Sequence, residues 1–314
     1  MLNRRHIRIK VMQTIYAIKG DKYYDLKKAE TFLLSSIDKM YVLYLLLISL
    51  LIELQKKTEL QLEKIKQKHL ATSEDKNPNK KFSSNSVLQI IKNNNLLLNK
   101  LRDHKINHWE LDSEYIDIVF KAITTSRQYF DYMQTRSSNF KQDKEFIIAI
   151  FKDIIAPNDK LYDYIEDKNL TWLDDLPAVN TAILKLLQKV KPTSSETHFL
   201  PKLYKDADDK QFAINLLKKT ILNQSSLNDA IKEKTLNWDS ERIAAVDLVL
   251  IQMAICELQY FPSIPIKVTI NEYLELAKEY STPKSSIFIN GILDKLVKEY
   301  EAEGKLNKTG RGLL

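Results

Sequence analysis

The sequence is poor in cysteine and glycine, and each shortage excludes a class of fold. Its one cysteine, Cys256, cannot form a disulfide within the chain, so a disulfide-stabilised secreted domain is excluded and a reducing, cytoplasmic location is expected. Only two of the five glycines, Gly20 and Gly291, precede residue 304. Together with the scarcity of alternating β-branched runs, this predicts an all-α protein rich in leucine, lysine, isoleucine and glutamate.

Long hydrophobic runs are also missing. The most apolar stretch, Tyr41–Leu54, has about 14 residues and falls short of the roughly 20 that a membrane-spanning helix needs. We therefore predict a helix buried within the protein. The N-terminus, Asn3–Lys10, is basic and then becomes amphipathic, a pattern unlike that of a signal peptide.

Charge is uneven along the chain. The formal net charge is +7, which permits contact with a polyanion without requiring it. Between Lys56 and Glu110 there are 12 lysines and arginines against 6 acidic residues, so this stretch holds most of the surplus. The surplus is interpreted either as a solvated helix face or as an auxiliary nucleic-acid contact.

Hydrophobic periodicity predicts the helices. We expect a first helix at residues 3–19, one or two long helices at 26–69, and further helices at 86–102 and 113–134. The polar, proline-containing segment 72–85 is expected to form an exposed, mobile loop.

An internal repeat follows. Segment 143–190 aligns without gaps to segment 209–256 at an offset of 66 residues. The identical pairs include Asp143/Asp209, Phe146/Phe212 and Trp172/Trp238, and the two tryptophans are expected to be packing anchors. The apolar pattern predicts that each copy contains a helix, a shorter helix and a third helix.

The most distinctive stretch lies near the C-terminus. Residues 264–278 follow the pattern IPxKVxINExxELAK, and residues 288–295 read FINGILDK. A capping box of Thr269 and Glu272 predicts a helix beginning near Ile270. A further helix is expected with Thr282 as its N-cap and proline at its first position. Gly291 inside that helix costs about 1 kcal/mol relative to alanine, which indicates either a close helix crossing or contact with an RNA backbone or a partner.

These motifs resemble the signature of the NusB transcription antitermination family. The N-terminal helix, with Arg4–Arg8 and then Val11–Tyr16, resembles the family's basic opening and its AxQxLY pattern, and Asp239–Leu258 resembles its long central helix. Members are usually about half as long, so a large insertion is implied. The resemblance divides the chain into residues 1–19 as the N-terminal basic helix of a NusB-like helical bundle, 20–142 as a helical insertion, 143–206 as the first repeat unit, 207–298 as the C-terminal core and 299–314 as a disordered tail.

The resemblance implies binding of boxA-type, single-stranded RNA in nascent ribosomal transcripts, jointly with NusE, a small-subunit ribosomal protein, within the transcription elongation complex. By resemblance, the RNA-binding residues are Arg4, Arg5, Arg8, Gln13, Tyr16, Lys284, Ser285, Ser286 and Phe288. Arginine and lysine suit phosphates, glutamine and serine suit base edges, and aromatic rings suit unpaired bases. The predicted docking face for NusE is the exposed side of helix 240–258, with Asp247, Gln252 and Glu257 as polar contacts.

Two other interpretations stay open. The chain could be a helical protein–protein scaffold without RNA binding, or an accessory domain of an RNA-modifying enzyme. We expect no enzyme activity, no cofactor and no metal, because nucleotide-binding and nucleophile motifs are missing from the sequence. His104 and His108 have i, i+4 spacing but lack a third ligand at a metal-binding spacing.

Overall fold

The computed structural model describes residues 1–19, 25–67, 72–235 and 243–309, and in these ranges all regular secondary structure is helical. The α-helices are α1 (Arg4–Ile18), α2 (Leu26–Lys66), α3 (Ser73–Lys76), α4 (Ser86–Lys92), α5 (Asn95–Asp103), α6 (His108–Leu111), α7 (Ser113–Thr124), α8 (Arg127–Met133), α9 (Phe140–Ile150), α10 (Asp159–Lys168), α11 (Leu176–Lys189), α12 (Ala207–Leu222), α13 (Gln224–Lys234), α14 (Ala245–Tyr260), α15 (Ile266–Tyr280) and α16 (Ser285–Ala302). A π-helical segment occupies Phe151–Ile155, and 3₁₀ segments occupy Leu170–Trp172 and Glu196–Phe199. The all-α prediction is confirmed.

The chain forms two compact units. The middle unit contains Met1 and Asp38–Leu203, and the terminal unit contains Leu2–Ile37 and the chain from Tyr204 onward. Helix α2 contributes its first residues to the terminal unit and the remainder to the middle unit. In the terminal unit, α1 packs on α12 and α14, and α14 also packs on α15 and α16.

Helix α2 is one continuous helix of 41 residues. The sequence predicted either one or two long helices here, and the structure has one. Its apolar stretch Tyr41–Leu54 is largely buried inside the middle unit, where the Tyr44 hydroxyl donates to the carbonyl of Phe199 at 2.7 Å. The expectation of a buried helix is confirmed. No helix in the described ranges has the length and apolarity that crossing a membrane requires.

The internal repeat is visible in the helix order. Helix α9 with its π-helical continuation corresponds to α12, α10 to α13, and α11 to α14. Paired positions share burial, for example Phe146 with Phe212 and Ile165 with Ile231. Trp172 is buried and its indole nitrogen donates to the carbonyl of Lys39 at 2.9 Å, whereas Trp238 lies outside the described residues.

The two copies differ on the outer face of their third helix. Lys185 and Lys189 of α11 are exposed, whereas the paired positions in α14, Ile251 and Ile255, are fully buried. Helices α15 and α16 cover α14, and the chain after α11 continues into a 3₁₀ segment instead of an equivalent helical pair. The change from lysine to isoleucine therefore matches the presence of a covering layer.

A buried aspartate lies in the first turn of the first helix of each copy, but its hydrogen-bond donors differ. Asp143 accepts from the backbone nitrogen and the hydroxyl of Ser86, both at 2.7 Å, and from the hydroxyls of Tyr132, at 2.6 Å, and Ser138. Asp209 pairs with Arg4 at 3.1 Å. An aspartate thus anchors both helices, in α9 by hydrogen bonds from hydroxyl groups and a backbone nitrogen and in α12 by an ion pair with an arginine.

The expectation of an exposed loop at residues 72–85 is wrong for its second half. Phe82 is 1% exposed and makes an edge-to-face contact with Phe146 at 5.5 Å between centroids. The buried Lys81 ammonium donates to the carbonyl of Tyr132, and Asn85 caps α4. The sequence concealed this packing because the buried Lys81 and Asn85 find their hydrogen-bond partners at Tyr132 and Asp143, far away along the chain.

Several predicted boundaries also need correction. The segments 86–102 and 113–134 each form two helices, separated by asparagine- and serine-capped turns. Helix α15 begins at Ile266, four residues before the predicted start, because Pro265 rather than Thr269 occupies the N-cap position. The tail predicted to be disordered from residue 299 begins inside α16, and Lys308 donates to the carbonyls of Glu257 and Phe261.

Candidate nucleic-acid interface

The N-terminal arginines of α1 are ion-paired within the terminal unit. Arg4 contacts Asp209, and Arg5 makes two hydrogen bonds to Glu272 at 2.9 and 3.1 Å. The hydrogen bond to Glu272 raises the pKa of Arg5 above its ordinary value. Close to half of each arginine side chain is exposed, so RNA phosphates have access to both guanidinium groups. Phosphate contacts there would compete with the carboxylates of Asp209 and Glu272, which are already paired with the arginines.

Arg8 forms a buried ion pair. Its guanidinium donates twice to the Glu257 carboxylate, at 2.7 and 2.8 Å, and the two side chains are 2% and 0% exposed. Glu257 also accepts from the hydroxyls of Thr269 and Tyr273. Burial alone lowers the pKa of Arg8, but the hydrogen bond and charge of Glu257 outweigh burial and raise it. The predicted roles of Arg8 in RNA contact and of Glu257 in docking are therefore wrong.

The predicted docking face on helix 240–258 is likewise buried. Asp247 accepts from the hydroxyl of Ser285 at 2.7 Å, and Gln252 donates to Asn228 at 2.6 Å. Both side chains are inside the terminal unit, as are their apolar neighbours along α14. A signal was available, since apolar residues surround this helix on all sides instead of forming one stripe.

Tyr16 lies near the other end of α1 from the arginines. The rise of an α-helix places Arg4 and Tyr16 about 18 Å apart along the axis. Tyr16 is 50% exposed, Gln13 is half-buried, and the Lys19 ammonium donates to the carbonyl of Ala245 at the start of α14. The predicted α1 residues therefore divide between two ends of the helix.

A pocket of about 550 Å³ opens beside the start of α16. It brings together three of the predicted RNA-binding residues, Lys284, Ser285 and Phe288, and the pocket includes Asp247. Ser286 is half-buried next to them but does not line the pocket. The full lining is Lys234, Thr235, Ile243, Asp247, Thr282, Lys284, Ser285, Ile287, Phe288, Gly291, Ile292 and Lys295.

The rim of this pocket carries unneutralised positive charge. Lys284 and Lys295 are exposed, and within the described ranges neither has a carboxylate at ion-pairing distance. Lys234 differs, because it pairs with Glu299. Two lysine ammonium groups thus remain available to an anionic ligand at the mouth of an otherwise largely apolar pocket.

Gly291 faces open space in the pocket wall. Apart from its chain neighbours and the nearby backbone of its own helix, a Cβ atom built on Gly291 would meet no described atom within 4 Å, so the close helix crossing, one of the two expected alternatives, is wrong. One turn earlier, Ile287 is 75% exposed and also lines the pocket. Sequence reasoning missed Ile287 and Lys295 as site residues, although both lie within a turn of the glycine that it had singled out.

Comparisons with known proteins place a family match over this part of the chain. The sequence model of the NusB family matches residues 185–298. The matched stretch starts within α11, earlier than the expected 207, and does not include α1.

Three relatives, all described as transcription antitermination protein NusB, match the chain. The protein of Salinibacter ruber is 40% identical over 112 residues, which cover 36% of this chain and 70% of the relative. The proteins of Chloroherpeton thalassium and Geotalea uraniireducens are 41% and 44% identical, over 35% and 27% of this chain and 52% and 59% of their own lengths. The solved structure of T. maritima NusB is 32% identical over 36% of this chain and 81% of that chain, with a TM-score of 0.30.

Proposed function

Because the chain belongs to the NusB family, we propose that it is an RNA-binding transcription antitermination and elongation factor. The RNA is a single-stranded, boxA-type segment of a nascent ribosomal transcript, and the partner is a NusE-like ribosomal protein. The observation that carries the proposal is the pocket beside α16, with two lysines at its rim and Phe288 in its wall. The proposal is one of binding in the transcription elongation complex, without a chemical step.

The pocket suits unpaired RNA better than duplex RNA. Proteins that recognise single strands combine basic groups for the backbone with aromatic and apolar surfaces for the bases. Lys284 and Lys295 supply the basic groups, and Phe288 and Ile287 supply apolar surface between them, about one turn after Lys284 and about two turns before Lys295. Tyr16, exposed at the end of α1 that lies near the start of α14, is a further candidate for stacking.

The first prediction tests the two rim lysines. Replacing both Lys284 and Lys295 with alanine should weaken binding of a boxA-type RNA and reduce its salt dependence. Each lost contact to a single-stranded phosphate lowers the slope of log K against log salt by about 0.7. Fluorescence anisotropy at several salt concentrations measures both quantities.

The matched control replaces Lys210 and Lys232, two exposed lysines of the same unit that lie outside the pocket. Its net charge changes by the same amount, so it reports the general electrostatic contribution. Equal losses in the two double variants would contradict the proposed site. Undetectable RNA binding by the unaltered protein would instead favour the scaffold interpretation.

A further inference from the structure

Asp247 has a carboxylate oxygen that accepts no hydrogen bond from any residue that the structure describes. The residue is 5% exposed and lines the pocket beside α16. Its Oδ2 accepts from the hydroxyl of Ser285, but its Oδ1 has no hydrogen-bond donor in the described ranges. A buried polar atom without a partner costs about 1–3 kcal/mol, and such atoms in native proteins call for an explanation.

We propose that Asp247 reads the identity of an unpaired base in the pocket and that the base it prefers is guanine. This inference rests on the proposed RNA-binding function and adds to it a specificity-determining residue. In this arrangement Oδ1 accepts hydrogen bonds from the base edge, Phe288 contacts the base, and the rim lysines hold the adjoining phosphates.

The charge around the pocket favours RNA over a basic peptide. A buried aspartate could also accept from an arginine or lysine side chain of a protein. Such a cation would have to pass Lys284 and Lys295, whose ammonium groups repel it and attract phosphates instead. A nucleotide presents its negative charge to the rim and its hydrogen-bond donors to the interior.

The donor pattern of the bases favours guanine. A carboxylate only accepts hydrogen bonds, and in guanine the N1–H and N2–H groups stand side by side. Adenine offers one amino group between two acceptor nitrogens, cytosine offers one amino group beside its acceptor N3, and the N3–H of uracil lies between two carbonyl oxygens. Guanine is therefore the base that offers two adjacent donors to Oδ1, where each of the other bases offers one.

The same pocket provides room for the base. Its volume of about 550 Å³ lies within the roughly 300–1,000 Å³ of small-molecule sites. Gly291 adds open space along the wall, where a side chain would narrow it. Asp247 also stands in the first turn of α14, beside the first turn of α16, and both helix ends favour a negative charge there.

The test measures binding of short uridine tracts that carry one central guanosine, inosine, adenosine, cytidine or uridine. The unaltered full-length protein should bind the guanosine tract about tenfold more tightly than the all-uridine tract, as expected of a hydrogen bond to a charged group. Inosine, which lacks the N2 amino group, should fall between them. The variant Asp247→Asn should lose most of the preference for guanosine.

The outcomes separate this inference from the function on which it rests. Equal affinity for the guanosine and uridine tracts, or an unchanged preference in Asp247→Asn, overturns the inference alone. Failure of the unaltered protein to bind any of the RNAs, including a boxA-type RNA, overturns the proposed function as well. If Asp247→Asn does not fold, the series of bases with the unaltered protein still decides the question.

Discussion

At the scale of residues, burial determines which of the predicted site residues are accessible to a ligand in the structure. Lys284, Phe288 and the buried Asp247 line one pocket, but Arg8, Gln252 and Glu257 are buried away from it. A sequence shows that Arg8 and Glu257 are charged, but not that they meet across 249 positions of the chain. Pairing at that separation depends on tertiary packing, so local patterns could not distinguish a buried arginine from an exposed one.

At the scale of residues, the Arg8–Glu257 pair should be strongly coupled. Arg8→Met or Glu257→Met alone should lower the free energy of unfolding by about 3–5 kcal/mol, because each removes the main partner of a buried charge; without Glu257, Arg8 keeps only its longer contact to Glu272, at 3.5 Å. The double variant should lose less than the sum of the two. Urea denaturation of the four proteins measures the coupling.

The exposed pair Lys141–Glu145 provides the control, since surface pairs of this kind contribute little. The same cycle there should give nearly additive, small effects. Strict additivity at Arg8 and Glu257 would show that the two side chains act independently and would contradict the buried ion pair.

The elements follow the sequence more closely than the side chains do. The all-α composition, the buried part of α2 and the helical repeat were all readable from periodicity, because amphipathic patterns reflect local burial. The packing of residues 81–85 was not readable. One aromatic residue, Phe82, within a polar segment fixes that loop, and no period of two or 3.6 residues marks it.

At the scale of elements, Asp143 should make the middle unit sensitive to acid. Burial tends to raise the pKa of its carboxyl, but hydrogen bonds from Ser138, Tyr132 and Ser86 outweigh burial and lower it. The ionised form therefore stabilises the folded state above the unfolded pKa of about 3.9, and this contribution is lost as the pH falls through the folded pKa.

At pH 7 the variant Asp143→Asn should have a free energy of unfolding about 1–3 kcal/mol lower than that of the unaltered protein. This difference in the free energy of unfolding should shrink below pH 4. Thermal or urea unfolding across pH 3–7 measures this. Asp167→Asn, at an exposed position of α10, serves as the control. A difference that stays constant with pH would mean that the carboxylate charge is unimportant.

At the scale of the whole molecule, family membership is the clearest inference from the sequence. It depends on motifs that helical periodicity alone does not explain. The match covers residues 185–298, so the terminal unit carries most of it. The role of the middle unit does not follow from the match. Family patterns cannot describe a segment that the family match does not include.

The partner proposal belongs to this scale. A NusE-like ribosomal protein should raise the affinity of the full-length chain for a boxA-type RNA by at least about fivefold, the lower range of typical coupling between sites. Anisotropy with and without the partner measures the change, and size-exclusion chromatography detects the binary protein complex. Charge reversal at Asp247 or Glu257 is unsuitable as a test, because both residues are buried.

Equal RNA affinity with and without the partner, combined with no binary complex, would contradict the partnership. A binary complex in the absence of any RNA affinity would favour a scaffold. The two measurements together thus distinguish the antitermination factor from the protein–protein scaffold.

The buried aspartates of the two repeat copies have different partners, so the helices of one copy cannot simply replace those of the other. A chimera that placed α12 at the position of α9 would present Asp209 to Ser86 and Tyr132 instead of to an arginine. Exchanging α11 and α14 would bury Lys185 and Lys189 under the covering helices and leave two isoleucines uncovered. The two copies share the same order of helices, but the side chains of each copy fit only the contacts of its own surroundings.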